Sequence, residues 1–196
     1  MFRAAGRQAT NFVLLDEWIP KRRTLSRDEA LAELTRRYFT GHGPATVEDL
    51  IWWSGLASLD AKAGLDMVKS NLVYEKINDH VYWMSPAALT SPPKTSSKVY
   101  LLPNFDEFII GYSDRSASLD LQRTDQLVDH GHGIFSAIIV IRGKILGTWR
   151  RSFIKNKVCL EAKAFDSFSK GQCEALRAAA GRYGKFLGME VVVMTR

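Results

Sequence analysis

The chain has 196 residues, 46% hydrophobic and 24% charged, which suits a packed core of one large or two small domains and excludes a disordered chain. No run of 18 apolar residues occurs, so no helical membrane span is expected, and the basic start Met1–Arg7 lacks the apolar stretch of a secretory signal. The formal net charge of +6 suits a polyanionic partner, because Lys and Arg displace counterions from phosphates, although such a charge also serves plain solubility.

In chain order, residues 1–25 read as a lead-in, with the apolar run Phe12-Val-Leu-Leu15 and the basic cluster Lys21-Arg22-Arg23. Ser26-Arg-Asp-Glu29 fits a capping box, in which the Ser oxygen and the Glu carboxylate satisfy free amides at a helix start. A first helix then runs to about Phe39, with Ala30, Leu31, Leu34 and Tyr38 on its core face. Gly41, Gly43 and Pro44 stop it. Thr46 caps a second helix, whose first turn holds Glu48 and Asp49 where the helix dipole favours carboxylates. Gly55 ends that helix and Ser58 caps a third, to about Asn71. Strands over Leu72–Ile77 and Val81–Met84 follow, joined at Asn78-Asp79-His80.

Three helices and a hairpin are the order of a winged helix, here over residues 26–86. Ser85–Ser97 reads as a linker. Residues 98–196 read as a β-rich α+β domain, so the expected fold class is α+β throughout. Its expected strands are Val99–Leu102, Phe135–Ile141, Lys144–Phe153 and Val158–Ala164. Arg142-Gly143 and Lys155-Asn-Lys157 supply turns, Gly143 with a positive φ. Ser169-Lys-Gly-Gln172 opens a last helix to Leu187, Gly188 stops it, and Glu190–Met194 is a final strand.

The third helix is a poor reader of bases. Lys62 and Lys69 are its cations, and Asp60 and Asp66 nearly cancel them. Arg, Asn and Gln make most bidentate base contacts, and it has no Arg. The stretch Arg142–Lys157 is richer: Arg142, Lys144, Arg150, Arg151, Lys155 and Lys157 are interleaved with Trp149 and Phe153. Such cations hold phosphates and such rings stack on bases; equally, an alternating strand simply carries one solvated charged face. Arg115 joins the candidate nucleic-acid contacts. Asp106, Glu107 and Asp114 lie among apolar and aromatic residues, where raised pKa values would suit acid–base catalysis; a local ion pair or a turn explains them as well. His130-Gly-His132 lacks a third ligand, so no metal site is expected, and no cofactor either. Phosphate-loop, dinucleotide-fold and nucleophile-elbow motifs do not occur. Cys159 and Cys173 make no disulfide framework and read as reduced thiols of a cytoplasmic protein.

Arg36-Arg-Tyr-Phe-Thr-Gly-His-Gly-Pro-Ala-Thr-Val-Glu-Asp-Leu50 with Trp53-Ser-Gly-Leu56, Leu101-Leu-Pro-Asn-Phe-Asp-Glu-Phe-Ile-Ile-Gly-Tyr-Ser-Asp-Arg115 and Arg142-Gly-Lys-Ile-Leu-Gly-Thr-Trp-Arg-Arg151 resemble, in this order, blocks of the bacterial winged-helix DNA-binding domain-containing proteins. Phe12-Val-Leu-Leu-Asp-Glu-Trp18 resembles the segment before the first helix. That family includes DNA glycosylases that remove alkylated purines and unhook interstrand crosslinks. The resemblance implies tandem winged helices and a β-rich domain in full-length members, of which this chain matches the C-terminal half. The family's catalytic motif, a Gln, an apolar residue, then Gln or Asp, belongs to the N-terminal half and has no match here. The expected function is non-sequence-specific binding of double-stranded DNA in repair, without the catalytic half. The alternatives are a glycosylase-like enzyme acting alone or with a partner, and a protein-interaction module. A homodimer, or a partner supplying the missing half, is the expected assembly.

Overall fold

The computed structural model describes residues 13–19, 24–90, 98–129 and 134–196. Lys21-Arg22-Arg23, His130, His132 and residues 91–97 of the expected linker lie outside them.

A short helix α1 (Leu15–Trp18) precedes α2 (Arg27–Gly41), α3 (Val47–Ser54) and α4 (Ser58–Val68). Ser26 and Glu29 form the expected capping box on α2, and Thr46 and Asp49 form a second on α3. Gly55 ends α3 in the left-handed region at φ 70°. Three expected helix boundaries move, and the third helix, expected to about Asn71, ends at Val68 before a 3-10 turn over Lys69–Asn71. Helix α2 continues past Phe39 to Gly41, and Ser58, expected as a cap, is the first helical residue behind an uncapped Ala57. Tyr38, Phe39, Ala45, Leu50 and Ala61 form the buried core of this part.

Strands β1 (Val73–Ile77) and β2 (His80–Met84) pair antiparallel around Asn78 and Asp79, both at positive φ. This two-residue turn leaves His80 in the strand, not in the turn. Reciprocal bonds between Ala45 and Trp83 (3.1 and 2.8 Å) fasten the α2–α3 connection to the hairpin. Pro86–Thr90, expected as linker, forms a helical turn, α5.

The second part is built on a five-stranded sheet. Strand β3 (Val99–Leu102) leads to α6 (Glu107–Ile110), a 3-10 turn at Leu121–Gln126 and the small β4 (Val128–Asp129) and β5 (Ile134–Phe135) ladder. Strands β6 (Ile138–Ile141), β7 (Lys144–Ile154) and β8 (Lys157–Ala164), helix α7 (Lys170–Leu187) and β9 (Glu190–Thr195) complete it. The sheet order is β3-β6-β7-β8-β9, antiparallel except for the parallel β8–β9 pair. All four β6 residues are buried because both sheet faces are covered there. Ile139 and Ile141 face α7, and Ile138 and Val140 face Ile109, Leu119 and Leu127. Helix α7 lies close to the sheet through Leu176, Ala179, Ala180 and Gly184; a Cβ on Gly184 would lie 2.7 Å from the Met189 carbonyl oxygen. Together the two parts are a mixed α and β structure.

Residues 107–114 strap the sheet part to the helices. Tyr38 Oη donates to the Gly111 carbonyl and Tyr112 Oη to that of His42, both at 2.8 Å. Trp52 Nε1 donates to the Ile110 carbonyl at 3.0 Å, and Trp53 Nε1 to Glu107 Oε2 at 3.0 Å. The Asp49 carboxylate, 2% exposed, joins both sides. Its Oδ2 accepts from Thr46 N–H and Oγ1–H, and its Oδ1 from Ser113 N–H and Oγ–H, at 2.8–2.9 Å. Removing this acceptor leaves the buried Thr46 donors, and the Ser113 amide and hydroxyl at the seam, without partners. Asp49→Ala is expected to lower the unfolding free energy by about 3 kcal/mol, read from the urea midpoint. A change within the scatter of surface variants would refute the strap.

Candidate nucleic-acid interface

The basic stretch Arg142–Lys157 forms β7, its two flanking turns and the first residue of β8. Arg142 (φ 51°) and Gly143 (φ 74°) make a two-residue turn, as the glycine suggested. The second turn is shorter than expected. Ile154 pairs with Lys157, so only Lys155 (φ 55°) and Asn156 lie between the strands. That removes Lys157 from the turn and brings Arg150 opposite Glu161.

Side chains alternate across a strand, so Arg150 and Arg151 leave opposite faces of the sheet. Arg151 lies on the α7 side, donates through Nη1 to Tyr183 Oη, and stacks its guanidinium over the rings of Tyr183 and Phe153 (5.7 and 5.8 Å). No described carboxylate pairs with it. Arg150 lies on the other face and bonds Glu161 Oε2 at 2.8 Å, while Arg196 bonds Glu161 Oε1 at 2.9 Å. The Arg150 hydrogen bond holds the Glu161 carboxyl below the usual carboxylate range, with the Arg150 and Arg196 charges adding to the effect. This face opens into a groove of about 790 Å³ lined by Thr148, Arg150, Glu161, Lys163 and Arg196, and Arg151 also contributes to its wall. Lys163 and Arg196 escape a sequence reading centred on the first strand. The signal was available: a two-residue turn at Lys155-Asn156 puts Lys163 opposite Thr148.

The remaining candidates scatter. Trp149 donates Nε1–H to the Leu102 carbonyl (2.9 Å) and packs edge-on against Tyr183, so it is part of the core rim. Phe153, 56% exposed, is the ring available at the corner. Lys155 is exposed at the turn, and Lys157 bonds Glu190 at 3.0 Å. Lys144 Nζ donates to the Ala117 carbonyl at 2.6 Å, and Arg142 is exposed. Arg115 is half-buried between the rings of Trp52 and Phe135, donates Nε–H to the Ile109 carbonyl, and has its pKa pulled down by burial. It acts as a joint residue. On α4, Lys62 is exposed, and Lys69, in the 3-10 turn that follows the helix, pairs with Asp66.

The three carboxylates expected as acid–base candidates are held by local structure. Asp106 caps α6 by accepting from Phe108 N–H. Glu107 accepts from Trp53 and sits 3.2 Å from His42 Nε2. Asp114 accepts from Ser116 N–H at 2.8 Å, and those Ser116 hydrogen bonds lower its pKa instead of raising it. Burial lifts the phenols of Tyr38 and Tyr112, which stay neutral donors. Cys159 and Cys173 are free thiols. Among the described residues no three His, Cys, Asp or Glu side chains gather as metal ligands, and no helix is long and apolar enough to cross a membrane.

A family model described as "AlkZ-like: DNA glycosylase AlkZ-like" matches residues 2–186. The chain belongs to the AlkZ-like family. Its fold is similar to that of the solved Streptomyces sahachiroi DNA glycosylase AlkZ, with a TM-score of 0.74 at 17% identity. The match covers 89% of this chain and 48% of that one, so the chain spans about half the length of that relative. No curated protein matches.

Asp114 sets a pH test in this family member. Its folded pKa is lowered, so its contribution to stability is present above the unfolded value and is lost as pH falls through the folded one. Asp114→Ala is expected to destabilise at neutral pH and to converge with the parent in strong acid. Thermal melts across pH check this, and a difference that grows on acidification would reverse the assignment.

Proposed function

We propose that this chain acts on double-stranded DNA in glycosylase-type base removal, alone or with a partner polypeptide. The AlkZ-like pattern over residues 2–186 carries this reading. The helical part reads as a winged helix, and the whole chain as the counterpart of the C-terminal half of a full-length member. On that reading, a partner would supply the family's Gln-containing motif. Asp106, Glu107 and Asp114 cap, bridge or close turns, which favours a base-removal step built from other groups. The sheet part would hold phosphates at the β7–β8 corner without reading sequence. The near-neutral face of α4, the third helix of the sequence reading, followed by a Lys69 paired with Asp66, supports placing the contact at the β7–β8 corner and not on α4.

Within the corner the two arginines differ. Arg151 has no described carboxylate partner, whereas the charge of Arg150 is balanced by Glu161. A phosphate contact releases about one counterion, so Arg151→Ala is expected to weaken duplex binding and lower the salt slope by about one. Arg150→Ala should change it less. Fluorescence anisotropy over a salt series reads both, and equal or absent effects would defeat the assignment. Base release from an alkylated duplex, measured with the chain alone and with a family member's N-terminal half added, tests the enzymatic reading. Salt-sensitive binding with no release in either mixture would leave a DNA-binding protein and reject the glycosylase role.

A further inference from the structure

The two edges of the five-stranded sheet are finished differently. Strand β3 is four residues long, and Arg182 Nη2 donates to its Val99 carbonyl at 3.1 Å. Strand β9 is six residues long and bounds the sheet on the other side, beyond β8. Its run Val191-Val192-Val193-Met194-Thr195 carries no charge and no proline. Charges, prolines and bulges are the usual devices that keep sheet edges from pairing. Val192 and Met194 are 38% and 44% exposed.

The backbone parity of this edge is defined. Arg196 N–H donates to the Ala162 carbonyl and its carbonyl accepts from Ala164 N–H (2.9 and 3.1 Å), so both peptide groups of Arg196 point into the sheet. In a parallel ladder alternate residues do this. The same register then turns the N–H and C=O of Val191, Val193 and Thr195 outward.

We propose that β9 pairs antiparallel with β9 of a second copy of this chain, on a two-fold axis at Val193. That centre sets Val193 against Val193 and Val191 against Thr195, so every outward group of the strand finds a partner. A centre on Val192 would instead set Thr195 against Met189, whose N–H already bonds the Gly184 carbonyl. The Val193 centre also places Val192 opposite Met194 and Glu190 opposite Arg196 across the junction. Facing side chains of opposite charge support such a pair. The new ion pairs extend Lys157–Glu190 and Glu161–Arg196 into one network across both copies. The result is a continuous sheet with an isologous interface. One strand per copy is a small contact, so the dimer is reversible. This inference stands apart from the DNA reading.

Sedimentation equilibrium of the full chain without DNA, over a concentration series, tests it. The expected result is a shift from monomer to dimer with rising concentration. Val193→Pro removes an outward N–H at an edge position and should abolish the shift, with circular dichroism as the fold control. Glu190→Lys and Arg196→Glu should each weaken the dimer, and the double charge swap should restore it, which decides the matter even if the proline variant unfolds. A monomer at every concentration would overturn the proposal. So would a dimer that survives Val193→Pro in a folded protein, or one indifferent to the charge swaps.

Discussion

The Asp49 carboxylate caps α3 with one oxygen and holds Ser113 with the other, so the start of a helix and the strap from the sheet share one buried charge. A buried carboxylate is tolerable only when hydrogen bonds replace its water, and here five donors do so, the Asp114 N–H at 3.4 Å included. Two neutral phenols, Tyr38 and Tyr112, bond across the same seam in opposite directions, from helix to strap and from strap to helix. Trp52 and Trp53 add indole donors, and Arg115 fills the space between Trp52 and Phe135. The aromatic residues that make this chain conspicuous therefore act largely as a joint. That joint sets where the sheet, with its charged corner, stands relative to the helices.

At the corner, strand geometry decides what the charges can do. Neighbouring arginines on one strand are far apart in environment. Arg151 is backed by two rings, which orient it without neutralising it, and Arg150 shares Glu161 with Arg196. The α7 face thus offers, beside an exposed Phe153, a cation with no carboxylate partner among the described residues, and the opposite face offers a groove of mixed charge. On the proposed DNA reading, a phosphate would sit at the first and not at the second.

Membership in the AlkZ-like family and the use of its carboxylates for caps and turns fit together. Base excision needs groups poised for chemistry, whereas Asp106, Glu107 and Asp114 are committed to amide, indole and turn partners. The chain spans about half the length of the solved relative and shares its fold over that span.

Much of the local structure was legible in the residues. Ser26 with Glu29, Thr46, Gly55, Ser169 with Gln172, and Gly188 each mark a helix end, because caps and positive-φ stops depend on adjacent residues alone. Most strands lie near their expected positions, but the expected strand Phe135–Ile141 divides into the end of β5 and a separate β6. Single-residue shifts escaped: the start at Ser58 and the two-residue turn at Lys155-Asn156 depend on which backbone groups pair across space. Tertiary structure alone made β9 parallel to β8, paired Glu161 with both Arg150 and Arg196, and converted Asp49, Glu107 and Arg115 into a seam. These contacts join residues tens of positions apart, and side-chain chemistry carries no record of its distant partner. The sequence by itself determined most of the elements, the basic balance and the family pattern; packing decided which of the described cations are paired with carboxylates, because those partners come together only across the folded sheet.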